Sequence, residues 1–500
     1  MILKNFPDKP GSFFVLLRII ISQPIRNSYN SLMVFSSFPF LWIFLPIILI
    51  GAMLTQKKGS NLFLLVISLL FYAWGEPKYI ILLLFSITVN YCAGLLIDSL
   101  SGKIPKKAVT AAAIMLDLGL LGYFKYFNFF AGAFNQLART DLIALRAIAL
   151  PIGISFYTFQ SISYIADLYR GTINVQRSWF RLALYISVCP QLIAGPIVKY
   201  TDIEPYLSSR RMTAEHAVSG LKRFCFGLGK KVLLANTLGY TVDEILKHPI
   251  ADLSALLCWT AAVFYTLQIY FDFSGYSDMA IGLAETLGFK FKENFDLPYC
   301  SRSVREFWRR WHISLSTWFR DYLYIPLGGN RKGSLRTILN LLIVFFATGL
   351  WHGAQWNFVI WGLFHGFFLI LERLIPHREA SGFPGRLISR IYALLVACAG
   401  WVLFRADDLT MAWEQLRKMF LPVGQGYWNL TEFVGPETAL IFLISLIFAF
   451  GWPKPVISRL KNGKGAAAAI LGDAAAILCL FLSIVMLANA AHNPFIYFRF

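Results

Sequence analysis

The chain has 500 residues, of which 57% are hydrophobic, 16% aromatic and only 15% charged. Too few polar residues are present to cover a set of water-soluble domains, so a soluble enzyme is excluded and the structural unit is the spanning helix. The charge is lopsided, 46 Lys and Arg against 27 Asp and Glu; scattered between apolar runs with no zinc-finger or RNA-binding signature, it marks cytoplasmic loops and predicts no nucleic-acid partner.

Residues 1–32 carry Lys4, Lys9, Arg18 and Arg26, but their apolar run is too short and interrupted to span. The expectation is an N-terminal extension with translation starting at Met33, the alternative being an amphipathic helix lying on the membrane. A single transmembrane domain is expected over 33–500. Runs 38–54, 61–74, 79–97, 108–124 and 148–166 each read as a spanning helix. Run 182–198 contains Pro190, Gly195 and Pro196 and lies between two basic stretches. If both are cytoplasmic, the segment dips in and returns, which requires surrounding protein or a water-filled cavity, and it becomes a candidate cavity wall. A further span is expected at 254–271.

Residues 285–336 read as a cytoplasmic interfacial segment. Ten basic residues lie between Lys290 and Arg336, and Trp308, Trp311, Leu315, Trp318 and Tyr322 recur at three- and four-residue steps, the pattern of one helix lying at the membrane surface. Spans then follow at 339–351, 358–371, 392–404, 438–451 and 466–487, giving about eleven in an all-α polytopic protein. The seven cysteines are dispersed without a C-x-x-C pair, so neither a disulfide framework nor a structural metal is expected.

Polar groups at membrane depth are costly and therefore candidates for function. His352 ends a run that enters from the basic side, about 20 Å along the helix. Neutral imidazole at that depth suits a general base, and Gly349 and Gly353 let a substrate or another helix approach; the alternative is a core histidine satisfied by a neighbouring helix. His312 follows a residue of the aromatic stripe, is the other candidate, and by its own surroundings reads as an ordinary interfacial histidine; His365 ranks below both. Asp272, among small and hydroxylic neighbours, suits tight packing or a polar cavity. No G-x-S-x-G elbow, P-loop, H-E-x-x-H or dinucleotide fingerprint is present.

The stretch from Phe307-Trp308-Arg309-Arg310-Trp311-His312 through Tyr324-Ile325-Pro326-Leu327-Gly328-Gly329, followed by Trp351-His352-Gly353, resembles the membrane-bound O-acyltransferase family, in its bacterial alginate O-acetyltransferase branch. Leu150 to Gln160, Pro190 to Val198, Tyr270 to Gly282 and the terminal Pro494-Phe495-Ile496-Tyr497-Phe498-Arg499-Phe500 support the likeness, which runs from Met33 to the end. The resemblance implies helices around a membrane-buried funnel or tunnel in the bacterial inner membrane, with His352 as the catalytic residue and His312 as the second family histidine. Tyr157, Gln160, Asp272 and Trp351 are candidates for the cavity lining, and Tyr497 for an acyl relay. The implied reaction is acetyl transfer to a hydroxyl of an exported, alginate-like polysaccharide. Acetyl-CoA or an acyl carrier protein thioester would serve as substrate donor, with no bound cofactor, and an extracytoplasmic acetyltransferase or hydrolase-like protein as partner beside membrane lipids. D-alanyl transfer to a cell-envelope polymer uses the same scaffold and is the alternative within enzymes; a transporter or flippase is the alternative outside them.

Overall fold

A computed structural model describes residues 33–56, 59–375, 382–421, 426–453 and 466–489. Among them there are helices and connecting loops and no strand. Ten of the eleven expected apolar runs coincide with apolar helices; the run 148–166 is helical only from Ile154, in the buried Ile154–Arg170 helix, which is not among the candidate spans. Seven helices are long and apolar enough to cross a membrane: Ile80–Ser99, Lys103–Ala138, Ala255–Thr286, Ser334–His352, Trp356–Leu374, Gly382–Arg405 and Ala469–Ala488. Shorter apolar helices lie at Phe40–Leu54, Ser60–Gly75 and Pro436–Ala449. The chain is thus an all-helical, multi-pass membrane protein.

The Ala255–Thr286 helix is the spine. Its 32 residues extend about 48 Å, well beyond a hydrocarbon core of about 30 Å. Ser254 caps it by accepting the Leu257 N–H at 3.2 Å. Most of its apolar stretch is buried inside the protein, whereas the Ala469–Ala488 helix keeps most of its surface outward. Close contact along the spine depends on absent side chains. A Cβ on Gly220 or Gly227 of the Ala214–Gly229 helix would collide with the backbone of Gly282 or Gly275 on the spine, and the reverse collisions hold too. Small residues seven apart on both helices let the backbones touch, the standard means of helix association where lipid provides no hydrophobic drive.

The 182–198 segment forms no helix long enough to span. The Trp179–Ser187 helix ends at Val188, the Cys189–Leu192 turn follows, and the chain then runs extended to Tyr200, with 182–198 wholly buried. Its irregular backbone is served by side chains: Cys189 N–H donates to Ser68 Oγ at 3.0 Å and Ile197 N–H to Ser314 Oγ at 2.9 Å, both from other elements, and the Val198 carbonyl accepts the hydroxyl of the segment's own Tyr185 at 3.1 Å. Such backbone is tolerated at depth only under these conditions.

The aromatic stripe of the basic segment departs from the expected single surface helix. Two short helices, Val304–Arg310 and Ile313–Phe319, are separated by Trp311 and His312, and His312 takes a left-handed backbone with φ 43°. Trp308, Trp311, Leu315 and Trp318 are buried. Enough helices surround the segment to pair each ring with protein: Trp318 stacks on Phe159 at 3.7 Å between ring centres, and Trp311 lies 4.7 Å from Trp401.

Candidate functional site

His352 is the last residue of the Ser334–His352 helix. The next helix, Trp356–Leu374, returns at once, and the two approach closely at Gly349 and Gly362, where any Cβ would strike the opposite backbone. Gly349 and Gly353 therefore serve this helix pair: Gly349 abuts Phe358 and Val359, and Gly353 abuts the Phe358 ring. The His352 ring is buried in an aromatic cage, 4.8 Å from Trp351, 4.9 Å from Trp361 and 5.2 Å from Phe404 between centroids.

The carbonyls that end a helix lack intrahelical donors. Here two of them are met by side chains from a π-helical turn at Gly122–Tyr126, inside the 36-residue Lys103–Ala138 helical stretch. Lys125 Nζ donates to the Trp351 carbonyl at 2.5 Å and the Tyr126 hydroxyl to the Leu350 carbonyl at 2.8 Å. Lys125 thus grips the residue next to His352. It also borders a cavity of about 240 Å³, shared with Asn128, Leu150, Gly353, Gln355 and Phe358, at the opposite end of the His352 helix from Arg336.

His312 also neighbours Trp351, 5.8 Å between ring centres, and lies 4.6 Å from Phe273 of the spine. It is fully buried, and burial among rings pushes its imidazole down from the ordinary histidine value to about 3. One polar side chain organises the turn. Asn294 Oδ1 meets His312 Nδ1 at 3.2 Å, the Ser314 N–H at 3.2 Å and the Ser314 hydroxyl at 2.8 Å. The Asn294 backbone carbonyl accepts the Ile313 N–H at 2.9 Å, and its Nδ2 donates to Ser277 Oγ on the spine at 3.1 Å. These bonds offset a left-handed backbone that costs a non-glycine residue on the order of 1–3 kcal/mol. Glu293, one residue back, is clamped by Arg223, which also binds Asp278 of the spine at 2.7 Å. Ser314 also accepts the Ile197 N–H, so the buried 182–198 segment is tied to the His312 turn.

Of the other residues singled out by sequence, Trp351 neighbours both histidines, its ring steeply inclined to each, and touches Phe156 and Phe159 of the Ile154–Arg170 helix. Tyr157 and Gln160 lie on that helix and are buried; the Tyr157 hydroxyl and both Gln160 side-chain atoms have no hydrogen-bond partner among the described residues. Asp272 forms a buried ion pair with Lys231 at 2.5 Å. His365 is buried behind the pair, 5.2 Å from both Trp308 and Trp361, and shares Trp361 with His352. Tyr497 lies outside the described residues.

Sequence reasoning missed Lys125, Lys231, Asn294 and Ser314. Lys125 was detectable, since a lysine at membrane depth is a functional candidate by default, but it falls one residue beyond the 108–124 run. Asn294 and Ser314 carry no comparable signal; their role arises only where the loop after the spine meets the His312 turn.

On the basic side, Asp321 binds Lys199 at 2.5 Å and Arg320 at 2.8 Å, and its backbone carbonyl accepts from Arg170 at 2.9 Å. Against the upward pull of burial, the Arg320 and Lys199 contacts hold its carboxyl below the usual carboxylate range.

Residues 175–392, which contain both His312 and His352, match the membrane-bound O-acyltransferase family. Across 94% of its length the chain is 39% identical to "Probable alginate O-acetylase AlgI" of Pseudomonas putida, which it covers completely. Across 76% it is 36% identical to the "Peptidoglycan O-acetyltransferase" of Helicobacter pylori, covering 78% of that protein. Over 51% it is 26% identical to the "Teichoic acid D-alanyltransferase" of Bacillus subtilis, covering 68% of it.

Proposed function

This chain belongs to the membrane-bound O-acyltransferase family and is an O-acyltransferase, and on that premise we propose that it moves acetyl groups from a cytoplasmic thioester through the bacterial inner membrane for O-acetylation of an exported, alginate-like polysaccharide. One observation carries the assignment to a site: two histidines forty residues apart in sequence meet the same Trp351 indole, and His352 ends a spanning helix there.

The chemistry follows from a neutral, buried imidazole. His352 takes the proton of the acceptor hydroxyl as the oxygen attacks the thioester carbonyl. The new C–O bond forms, the C–S bond breaks, and the thiolate leaves; the proton passes from His352 to that sulfur, so the free thiol and the acetyl ester are the products. The aromatic cage keeps out water that would hydrolyse the thioester. His312 orients the donor on the basic side, where Arg302, Arg305 and Arg309 face an anionic coenzyme A or an acidic carrier protein. The cavity beside Lys125 and Gly353 is the acceptor side. No resident cofactor takes part.

Tyr497, in the terminal Phe-Ile-Tyr-Phe-Arg-Phe tail, is proposed to accept the acetyl group and hand it to an extracytoplasmic transferase or hydrolase-like partner. Acetyl rather than D-alanyl is favoured because the likeness to O-acetyl-transferring relatives is both higher and longer. The test is the acetyl content of secreted and envelope polysaccharide in cells with and without the gene. Loss of acetyl ester on deletion supports the proposal; unchanged acetyl with lost D-alanyl ester would move it to the alternative.

A further inference from the structure

The hydrogen bonds around His312 determine which of its nitrogens carries the proton. The atom of Asn294 that faces the Ser314 backbone N–H at 3.2 Å must be an oxygen, because a backbone N–H can only donate. The same oxygen meets the Ser314 hydroxyl at 2.8 Å and His312 Nδ1 at 3.2 Å. An amide oxygen cannot donate, so Nδ1 carries the hydrogen. His312 is fully buried, is flanked by Phe273, Phe295 and Trp351, and has no acidic ion-pair partner among the described residues. The ring is therefore neutral, and its second nitrogen, Nε2, has a bare lone pair. Among the described residues Nε2 has no hydrogen-bond partner.

We infer that Asn294, anchored by Ser277 and Ser314, is a positioning residue that locks His312 in its Nδ1–H tautomer, so that Nε2 meets substrate as an acceptor of an O–H or N–H and never as a donor. This rests on the reading that His312 belongs to the acyl-transfer site and refines it: His312 is thereby excluded as the donor that steadies the tetrahedral oxyanion or protonates the leaving sulfur. Which ring nitrogen is protonated is set by the bond the other makes, and here that bond is supplied by a side chain held on two further elements. The groups facing His312 are Asn294 and Phe295 from the loop, Phe273 from the spine, Ser314 on its own turn, and Trp351, with Ser277 reached through Asn294 and His352 through Trp351. Of these only His352 titrates.

Full-length protein in detergent or nanodiscs, with histidine ring nitrogens labelled by 15N, tests the tautomer directly. The His312 signals are assigned as those lost in His312→Gln. The expected result between pH 6 and 8 is a protonated Nδ1 and a bare Nε2, with the Nε2–H form appearing in Asn294→Ala. A wild-type ring protonated on Nε2, or an unchanged ring in Asn294→Ala, overturns the inference. Kinetics give a second readout. Asn294→Ala should lower kcat/KM by about tenfold or more. In Asn294→Asp the carboxylate accepts the same bonds and should restore the tautomer, but as an added negative charge it favours imidazolium, so the acid limb of kcat/KM should move to higher pH. A purely structural asparagine would leave that limb in place, and this outcome also counts against the inference. If Asn294→Ala does not insert, Ser277→Ala, which removes only the Nδ2 anchor, replaces it, and partial loss of the tautomer is expected. Full acetyl transfer by His312→Ala would instead remove His312 from the site while leaving the measured tautomer standing.

Discussion

His352 touches rings on three successive spanning helices, its own Trp351, then Trp361 and Phe404, so His352→Ala changes the chemistry at a position whose neighbours are already fixed. A positioned general base contributes roughly 10²- to 10⁴-fold, and acetyl transfer should fall by about that factor. Tyr497→Phe keeps the aromatic tail and deletes its hydroxyl; if the residue relays the acyl group, polymer acetylation drops to the level of the deletion strain, and full acetylation would end the relay idea. Asp321 provides a pH test at this scale. Its folded-state pKa is depressed, so its stabilising contribution is complete above the unfolded carboxylate value of about 4 and is lost as pH falls through the lower folded value. The stability difference between wild type and Asp321→Asn, read as the thermal midpoint in detergent, should be present at pH 7 and shrink toward zero below about pH 4; a difference that grows on acidification would contradict it.

At the scale of elements, the site depends on how one helix ends. The Ser334–His352 helix is pinned sideways by the Gly349 and Gly362 contact and at its end by Lys125 and Tyr126 from the π-helical turn. π-helical turns recur at functional sites because they turn side chains away from the regular helical face, and this one turns Lys125 onto the Trp351 carbonyl. Lys125→Met leaves that carbonyl without its donor, a loss of about 1–3 kcal/mol, and should lower both the thermal midpoint and acetylation at equal membrane content. Gly362→Leu forces the helices apart and should cost about 3 kcal/mol or more, whereas Gly119→Leu, where a Cβ meets nothing, should be near neutral. Equal thermal midpoints for the two leucine variants would show that the helix pair does not rely on close approach.

For the whole molecule, composition and apolar run lengths made the fold class readable, because a bilayer admits few solutions: ten of the eleven expected runs coincide with apolar helices, and the run 148–166 is helical only from Ile154. The irregular, buried backbone at 182–198 was legible for the same reason, since Pro190, Gly195 and Pro196 could not sit in a lipid-facing span. His352 was legible as a buried polar group and His312 only through the Trp-His motif, its burial coming from the helices around it. What sequence could not supply was side-chain pairing between distant elements. The stripe from Trp308 to Tyr322 has helical spacing yet breaks at His312, because a left-handed residue held by Asn294 is invisible to periodicity. Asp272 suggested a cavity and is paired with Lys231, and Lys125 was missed because a run boundary fell one residue before it.

The most direct test compares polymer acetylation in cells carrying wild type, His352→Ala or no copy of the gene, with membrane levels of the two proteins matched. The account predicts that His352→Ala, stably inserted, gives acetyl ester no higher than the deletion. Near-normal acetylation by that variant would contradict the assignment of His352 as the base.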